Sequence, residues 1–249
     1  MREQQQGVRS IKQVIKLKPT ETATPLPKVN DIVISMYNTT DTLYTDQIGK
    51  FLHISSRGNR YQMILYHVDS NTIWVEPTKN KTEGEMILGR ERALKRMRVE
   101  GVHPKRQVLN NEALEAYKTA IKESGMTYQL VPPDEHRRNL VEKAIQTWKD
   151  HFVSVLSGTA DNFPLHLWCQ LIPQMECQLN LLQKSNANPK VLAYTHIYSP
   201  HNYNTTPFVS IGMEALVHDK PNRWKTFAQY CTKGWVIGTS PEHYWCWKV

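Results

Sequence analysis

The stretch QLVPPDEHRRNLVEKAIQTWKDHF, residues 129–152, contains the signals that decide the fold of this chain. The short apolar run at 128–131 is typical of a buried strand, and Pro132 and Pro133 end it because proline cannot donate to a neighbouring strand. A helix is expected over about 138–157, and Asp134 before it can serve as a cap. Its apolar positions recur every three or four residues, which predicts one face packed on a core: Val141, Ala144, Ile145, Trp148, Phe152, Val155 and Leu156.

The opposite face of the same helix carries one carboxylate among cations and an amide. Arg138 and Asn139 precede Glu142 by four and three residues, and Lys149 follows it by seven. These spacings place the four side chains on one side of the helix, near its start. One interpretation is a solvated face with i,i+4 ion pairs. The other is a metal-binding carboxylate flanked by contacts to phosphate groups, and the helix alone does not separate the two.

The composition favours a soluble globular protein with an anionic partner. The chain has 249 residues, 40% of them hydrophobic and 22% charged, and its net charge is +8. Nucleic acid is the expected partner for such a charge, although a basic surface without that role remains the alternative. The four cysteines form no CxxC pair, which indicates free thiols in a reducing compartment. Because no apolar run resembles a membrane span or a signal peptide, we expect neither membrane contact nor secretion.

Three regions follow from the changes in composition along the chain. Residues 1–41 are polar, basic and rich in Pro and Thr, so we expect a flexible basic arm. Residues 42–185 alternate short apolar runs with turn signals such as SSRGN and DSN. The strands are expected at 43–51, 60–68, 72–76 (ended by Pro77), 107–109 and 128–131, and the helices at 82–98, 112–124, 138–157 and 165–183.

This order of elements predicts an α/β fold with a mixed five-stranded sheet flanked by helices. An antiparallel meander of three strands is followed by two strand–helix units, which is the ribonuclease-H-like arrangement. In that arrangement, carboxylates at neighbouring strand ends and on a late helix hold divalent metal. Residues 186–249 predict a linker and a small β-barrel-like C-terminal region, a β appendage with strands at 214–218, 234–238 and 244–249. Its tryptophans and lysines fit either a cation-displaying surface or a purely structural appendage.

Two further positions complete a pattern with Glu142. Asp46 lies in YTDQIGKF, where Gly49 and Phe51 follow it as D-x-x-G-x-F, and Asn110 lies in VLNNEAL, 32 positions before Glu142. With these segments, and with SSRGNRYQMILYHVDSNTIWVEPTKNKTEGEMI and NFPLHLWCQLIPQMECQLNLL, the chain resembles the integrases of retroviruses and retrotransposons, the DDE superfamily. It is most similar to integrase-like proteins of diatom and other algal retrotransposons. No His-His-Cys-Cys pattern precedes this region, so we expect an integrase portion without the amino-terminal zinc module.

The resemblance implies roles for individual residues. Asp46 and Glu142 match the first and third metal-binding carboxylates of the family, and Asn110 stands where the second aspartate is expected. In the family, three carboxylates bind two Mg²⁺ (or Mn²⁺) ions, one activating water or a DNA 3′-hydroxyl and the other stabilising the leaving oxygen. Basic and polar side chains hold the DNA backbone without reading its sequence. The candidates for these contacts are His136, Arg137, Arg138, Asn139 and Lys149.

The asparagine at position 110 departs from the family pattern. Its neutral oxygen removes one negative charge where two dications would lie side by side, and Glu112 could replace it only if the strand end shifted. We therefore expect impaired metal-dependent strand transfer, with metal binding not necessarily retained. An active integrase, a non-catalytic DNA-binding module derived from an integrase and an α/β domain without a DNA role are the alternatives. By analogy with the family, we expect DNA (element ends and target) as partner, a homo-oligomer, and the nucleus, or the cytoplasm before import, as the location.

Overall fold

The first three strands form an antiparallel meander, as the turn signals between them predict. The computed structural model describes residues 39–109, 115–131, 140–223, 226–227 and 229–249, and residues 40–249 form one compact unit. Strand β1 spans Thr42–Ile48, β2 spans Tyr61–His67 and β3 spans Thr72–Thr78. The register of β1 and β2 pairs Asp46 with Ile64.

Two further strands complete the mixed sheet. Strand β4, Arg106–Leu109, runs parallel to β1, and β5, Thr127–Leu130, runs parallel to β4. The strand order is β3-β2-β1-β4-β5, so the predicted five-stranded sheet flanked by helices is confirmed. The helices of this part are α1 (Glu83–Val99), α2 (Glu115–Glu123), α3 (Leu140–Ser157) and α4 (Trp168–Leu182).

The sheet has an apolar core on each face, because neighbouring residues of a strand point to opposite sides. In β1, Leu43 packs in the core shared with α1 and α2, and Tyr44 packs in the core shared with α3 and α4. Trp148 of α3 and Trp168 of α4 are fully buried in the second core. Replacing either tryptophan by alanine would cost about 3–5 kcal/mol. These cores hold α3 against the face of β1 that carries its even-numbered residues.

Strand β3 is an edge strand whose outward N–H groups are satisfied by α4. Ile73 N–H donates to Asn180 Oδ1 (3.0 Å), and Val75 N–H donates to Glu176 Oε2 (2.9 Å). The next outward position is Pro77, which has no N–H to satisfy. The prediction that Pro77 ends this strand is therefore wrong. The strand continues past it because a proline at an outward edge position costs no ladder bond.

Strand β5 forms the opposite edge and is more exposed than predicted. Residues 127 and 129 are exposed and 128 and 130 are half-buried, whereas Val131 just beyond the strand is buried. The prediction of a buried strand at 128–131 is wrong because β5 has a neighbouring strand on one side only. An apolar run indicates a strand here, but it does not indicate how far the strand is covered.

The described residues of the C-terminal part form a short α-helix and two small antiparallel ladders. Its elements are α5 (Ala193–Ile197), β6 (Glu214–His218), β7 (Cys231–Trp235), β8 (Gly238–Thr239) and β9 (Trp247–Lys248), with β6 paired to β7 and β8 to β9. The β appendage and its strand at 214–218 are confirmed. The strands predicted at 234–238 and 244–249 have wrong bounds, since β7 begins at Cys231 and β9 spans only Trp247–Lys248. The division at residue 185 and the barrel-like arrangement stay predictions. Every helix in the described ranges is too short or too polar to cross a bilayer.

Candidate functional site

The first candidate carboxylate, Asp46, lies on the sheet face that α3 covers. It stands between Tyr44 and Ile48, which both pack against the core formed with α3 and α4, and alternation puts the three side chains on the same face. Asp46 is half-buried, and its Oδ1 accepts a hydrogen bond from the N–H of Gln47 (2.7 Å). A carboxylate near the carboxyl end of a central strand is a hard oxygen ligand of the kind that Mg²⁺ prefers.

The second candidate carboxylate, Glu142, is exposed in the first turn of α3. The helix is fixed to the sheet by the buried Val141 and by Trp148, whose Nε1 donates to Gln62 Oε1 (2.6 Å). Lys149 is also exposed and lies two turns further along the same side of α3. The two interpretations of this helix face, solvated or metal-binding, therefore both remain compatible with the structure.

The other predicted site residues lie outside the described part of the chain. These are Asn110, His136, Arg137, Arg138 and Asn139. Strand β4 is described up to Leu109 and runs parallel to β1, so the carboxyl ends of both strands point to the same edge of the sheet. The convergence of positions 46, 110 and 142, and the DNA contacts at 136–139 and 149, stay predictions.

A group of cations that no sequence pattern singled out lies at the carboxyl edge of the sheet, by which we mean the end where β1 and β3 terminate and β2 begins. It comprises Lys50, Arg57, Arg60, Lys79 and Lys81, and we call this group the basic edge. Arg60 N–H donates to Thr78 O (2.9 Å), and the Lys81 ammonium lies 5.7 Å from the centre of the Tyr61 ring. All except the half-buried Arg60 are exposed, and within the described ranges none of the five makes an ion pair. The only signal in the sequence was that each cation follows or precedes a strand end.

A cluster with possible metal-ligand geometry lies at the other end of β1. One ligand atom each from Asp41, His67 and Asp69 lies within 4.8 Å of the others. Asp41 Oδ2 already accepts from Lys105 Nζ (2.6 Å), and Asp69 Oδ2 accepts from the N–H of Asp41 (2.7 Å). The Nδ1 of His67 lies 2.9 Å from Ser70 Oγ. Because Lys105 already neutralises Asp41 and Asp69 binds the backbone of Asp41, we interpret the cluster as a structural tie between chain segments.

We expect the fold to weaken through His67 as the pH falls below about 6.5. Burial lowers the pKa of His67 from its usual 6.5, against the opposing effects of Asp69 and Asp41, while His196 lowers it slightly further. Below this pH the unfolded chain binds a proton that the folded chain does not, so the free energy of unfolding decreases as the pH drops. Above about 6.5 the contribution of His67 to stability is complete. Urea unfolding between about pH 5 and pH 8 measures this slope.

The control for this prediction is His67→Asn, whose Oδ1 can replace Nδ1 as the partner of Ser70. The variant should show a smaller dependence on pH than the wild type. An unchanged slope would assign the dependence to other groups, of which the half-buried His151 is the first, since burial lowers its pKa too.

Comparison with known proteins identifies the fold. No family model and no curated protein matches the sequence. Among solved structures, a chain of the simian T-cell lymphotropic virus intasome in complex with the PP2A regulatory subunit B56 gamma matches with a TM-score of 0.51 and 14% identity, covering 78% of this chain and 67% of that chain. The catalytic core domain of BIV integrase matches with a TM-score of 0.46 and 12% identity, covering 64% and 93%. Together with the strand order, the first likeness shows the fold, a ribonuclease-H-like mixed sheet of five strands flanked by helices.

Proposed function

We propose that this chain is an integrase-like protein of retrotransposon type that binds DNA along its basic edge. The observation that carries the proposal is that these five cations lie where β1, the strand of Asp46, reaches the carboxyl edge of the sheet. Phosphate groups would supply the anions that the described side chains do not. The origin from a diatom or algal type of retrotransposon rests on the sequence resemblance. DNA ends and target DNA as partners, a homo-oligomer and a nuclear location belong to the same proposal.

The donor set fits a divalent metal ion. Asp46 and Glu142 would hold Mg²⁺ or Mn²⁺ with the amide oxygen of Asn110 as a third ligand, and all three donors are hard oxygens. Asp46 is half-buried rather than sealed in the core, so an ion can approach it from solvent. When bound, the ion supplies charge stabilisation for a phosphoryl oxygen and lowers the pKa of the attacking hydroxyl. Two carboxylates and one amide compensate two dications poorly, so the proposed strand transfer is impaired.

The second candidate function is a DNA-binding module without chemistry. The observation that favours it is Asn110, which removes a charge from the donor set. Such a module would still bind DNA along the basic edge, so the same DNA-binding prediction applies to it. Only a metal-dependent strand-transfer assay separates it from an impaired enzyme.

We expect the affinity for DNA to depend little on the DNA sequence and to fall steeply as the salt concentration rises. Removing two cations, in Lys50→Ala with Arg57→Ala, should reduce the slope of log affinity against log salt by about 2, since each phosphate contact contributes roughly 0.9. Fluorescence anisotropy with two unrelated duplexes, between roughly 50 and 200 mM salt, measures affinity and slope together.

The matched control replaces two exposed lysines at the far end of α4, in Lys184→Ala with Lys190→Ala. This double variant removes the same charge and should keep the wild-type slope. Affinity that does not change with salt, or an equal loss in both double variants, would contradict binding at the basic edge.

A further inference from the structure

The loop between β1 and β2 holds one large apolar side chain almost completely in solvent. Leu52 is 92% exposed, and the nearby Ile54 is 46% exposed. The loop starts directly after β1, so Leu52 lies six residues along the chain from Asp46. Lys50 and Arg57, two members of the basic edge, lie in the same loop. An isolated exposed leucine needs no explanation by itself. Leu52 differs from such a leucine because the backbone around it is held in place by contacts with the rest of the protein.

The residues on both sides of Leu52 are anchored to the helices below. The Phe51 ring packs edge-on against Phe152 and Trp168, with ring centroids 5.5 Å and 5.3 Å away. The carbonyl of His53 accepts a hydrogen bond from Trp168 Nε1 (2.9 Å). Leu52 therefore cannot fold back into the core without breaking contacts of its two neighbours.

The rest of the loop is also held in place by its own hydrogen bonds. Ser55 Oγ accepts from the N–H of Asn59 (2.9 Å), and Phe51 N–H donates to Arg60 O (2.8 Å). Ser56 N–H donates to His166 O (2.7 Å), which ties the loop tip to the turn before α4. A rigid loop that presents leucine loses little conformational entropy when it meets a partner.

We propose that Leu52 is an apolar wedge that inserts between base pairs of duplex DNA held on the basic edge. Proteins that bend DNA insert leucine and similar side chains between base steps, while nearby cations neutralise the phosphates. Leu52 supplies the apolar side chain, and Lys50 and Arg57 supply cations in the same rigid loop. This inference rests on the proposed DNA binding and adds a distortion of the duplex close to the strand end that carries Asp46.

Fluorescence of 2-aminopurine in a duplex of about 20 base pairs tests the wedge, with the probe at a single TA step because such steps unstack most easily. Wild-type protein should raise the fluorescence, since unstacking relieves quenching of the probe. In Leu52→Ala the rise should be lost, and the affinity should fall roughly fivefold with the apolar contact. Leu52→Phe keeps an apolar wedge and should restore the rise.

The matched control is Leu182→Ala, which truncates a leucine that is 77% exposed at the far end of α4. It should leave both fluorescence and affinity at the wild-type level. A full rise in Leu52→Ala, with DNA still bound in a salt-dependent manner, would overturn the wedge and leave the proposed function standing. A wild-type protein that does not bind DNA would overturn both the wedge and the proposed function. If Leu52→Ala instead releases the protein from phosphatidylserine vesicles and leaves the DNA signal unchanged, the loop contacts a membrane surface and the wedge is wrong.

Discussion

Asn110→Asp is expected to raise metal-dependent strand transfer from near background by roughly 100-fold or more, since metal ions stabilise phosphoryl-transfer charge by several kcal/mol. The substitution is nearly isosteric, so it changes charge at this position far more than volume. The added carboxylate would complete, with Asp46 and Glu142, a donor set that compensates two dications. Labelled DNA ends incubated with Mg²⁺ and target DNA give joined products that can be counted directly.

The controls distinguish an effect of a carboxylate at position 110 from a general effect of added negative charge. Asn111→Asp adds the same charge one residue further along the chain and should leave activity near background. The double variant Asn110→Asp with Glu142→Gln should lose the gained activity, because it removes one of the three carboxylates again. Strong strand transfer by the wild type would show that an asparagine is sufficient here. An inactive Asn110→Asp would show that loss of function extends beyond this position.

A second readout of the same substitution does not depend on activity. Without metal, a third carboxylate near two others should lower the unfolding temperature slightly by like-charge repulsion. Added Mg²⁺ should recover the loss, because a ligand that binds only the folded state stabilises it. The Mg²⁺-dependent shift should be larger in Asn110→Asp than in the wild type or in Asn111→Asp. Equal shifts in all three proteins would indicate that position 110 is not a ligand.

The fold could be predicted from the sequence where one local signal decided each element. The short apolar runs and the SSRGN and DSN turns between them indicated the three-stranded meander, and its register follows once the turns are placed. The edges of the sheet could not be predicted in this way. Whether Pro77 interrupts a strand depends on which side its missing N–H would face, and the exposure of β5 depends on which strands lie beside it. Both are properties of the assembled sheet.

In the candidate site too, some features follow from local sequence spacing and others depend on the assembled sheet. The face of Asp46 follows from strand alternation, and the face of Glu142 follows from helical spacing. The basic edge could not be found from spacing, because the cations before β2 and after β3 come to the same end of the sheet only through the hairpin register, which pairs Tyr61 with Thr78. The buried polar residues of α4 could not be predicted either, because burial of a polar side chain depends on the hydrogen-bond partner that it meets in the folded protein. Glu176 and Asn180 are buried there because they satisfy the edge of β3.

Glu176→Ala is expected to destabilise the fold by about 3 kcal/mol, because it removes two bonds of a buried carboxylate. Glu176 is 4% exposed. Its Oε2 accepts from the N–H of Val75 (2.9 Å), and its Oε1 bonds to Arg96 of α1. Arg96 also pairs with Glu76 Oε1 (2.9 Å), so one guanidinium joins α1, β3 and α4 at the sheet edge.

Two variants divide this loss into its parts. Glu176→Gln retains one oxygen that can accept from Val75 N–H, but it loses the charge and the acceptor for Arg96, so about half of the destabilisation should remain. Glu91→Ala truncates an exposed carboxylate on α1 and should change the stability by less than about 0.5 kcal/mol. Urea unfolding should therefore rank the variants Glu176→Ala, Glu176→Gln and Glu91→Ala in decreasing order of loss. A Glu176→Ala protein as stable as Glu91→Ala would show that the edge of β3 does not depend on this contact. Light scattering adds an independent test, because an N–H left open on an edge strand favours pairing between chains and only Glu176→Ala should aggregate on warming.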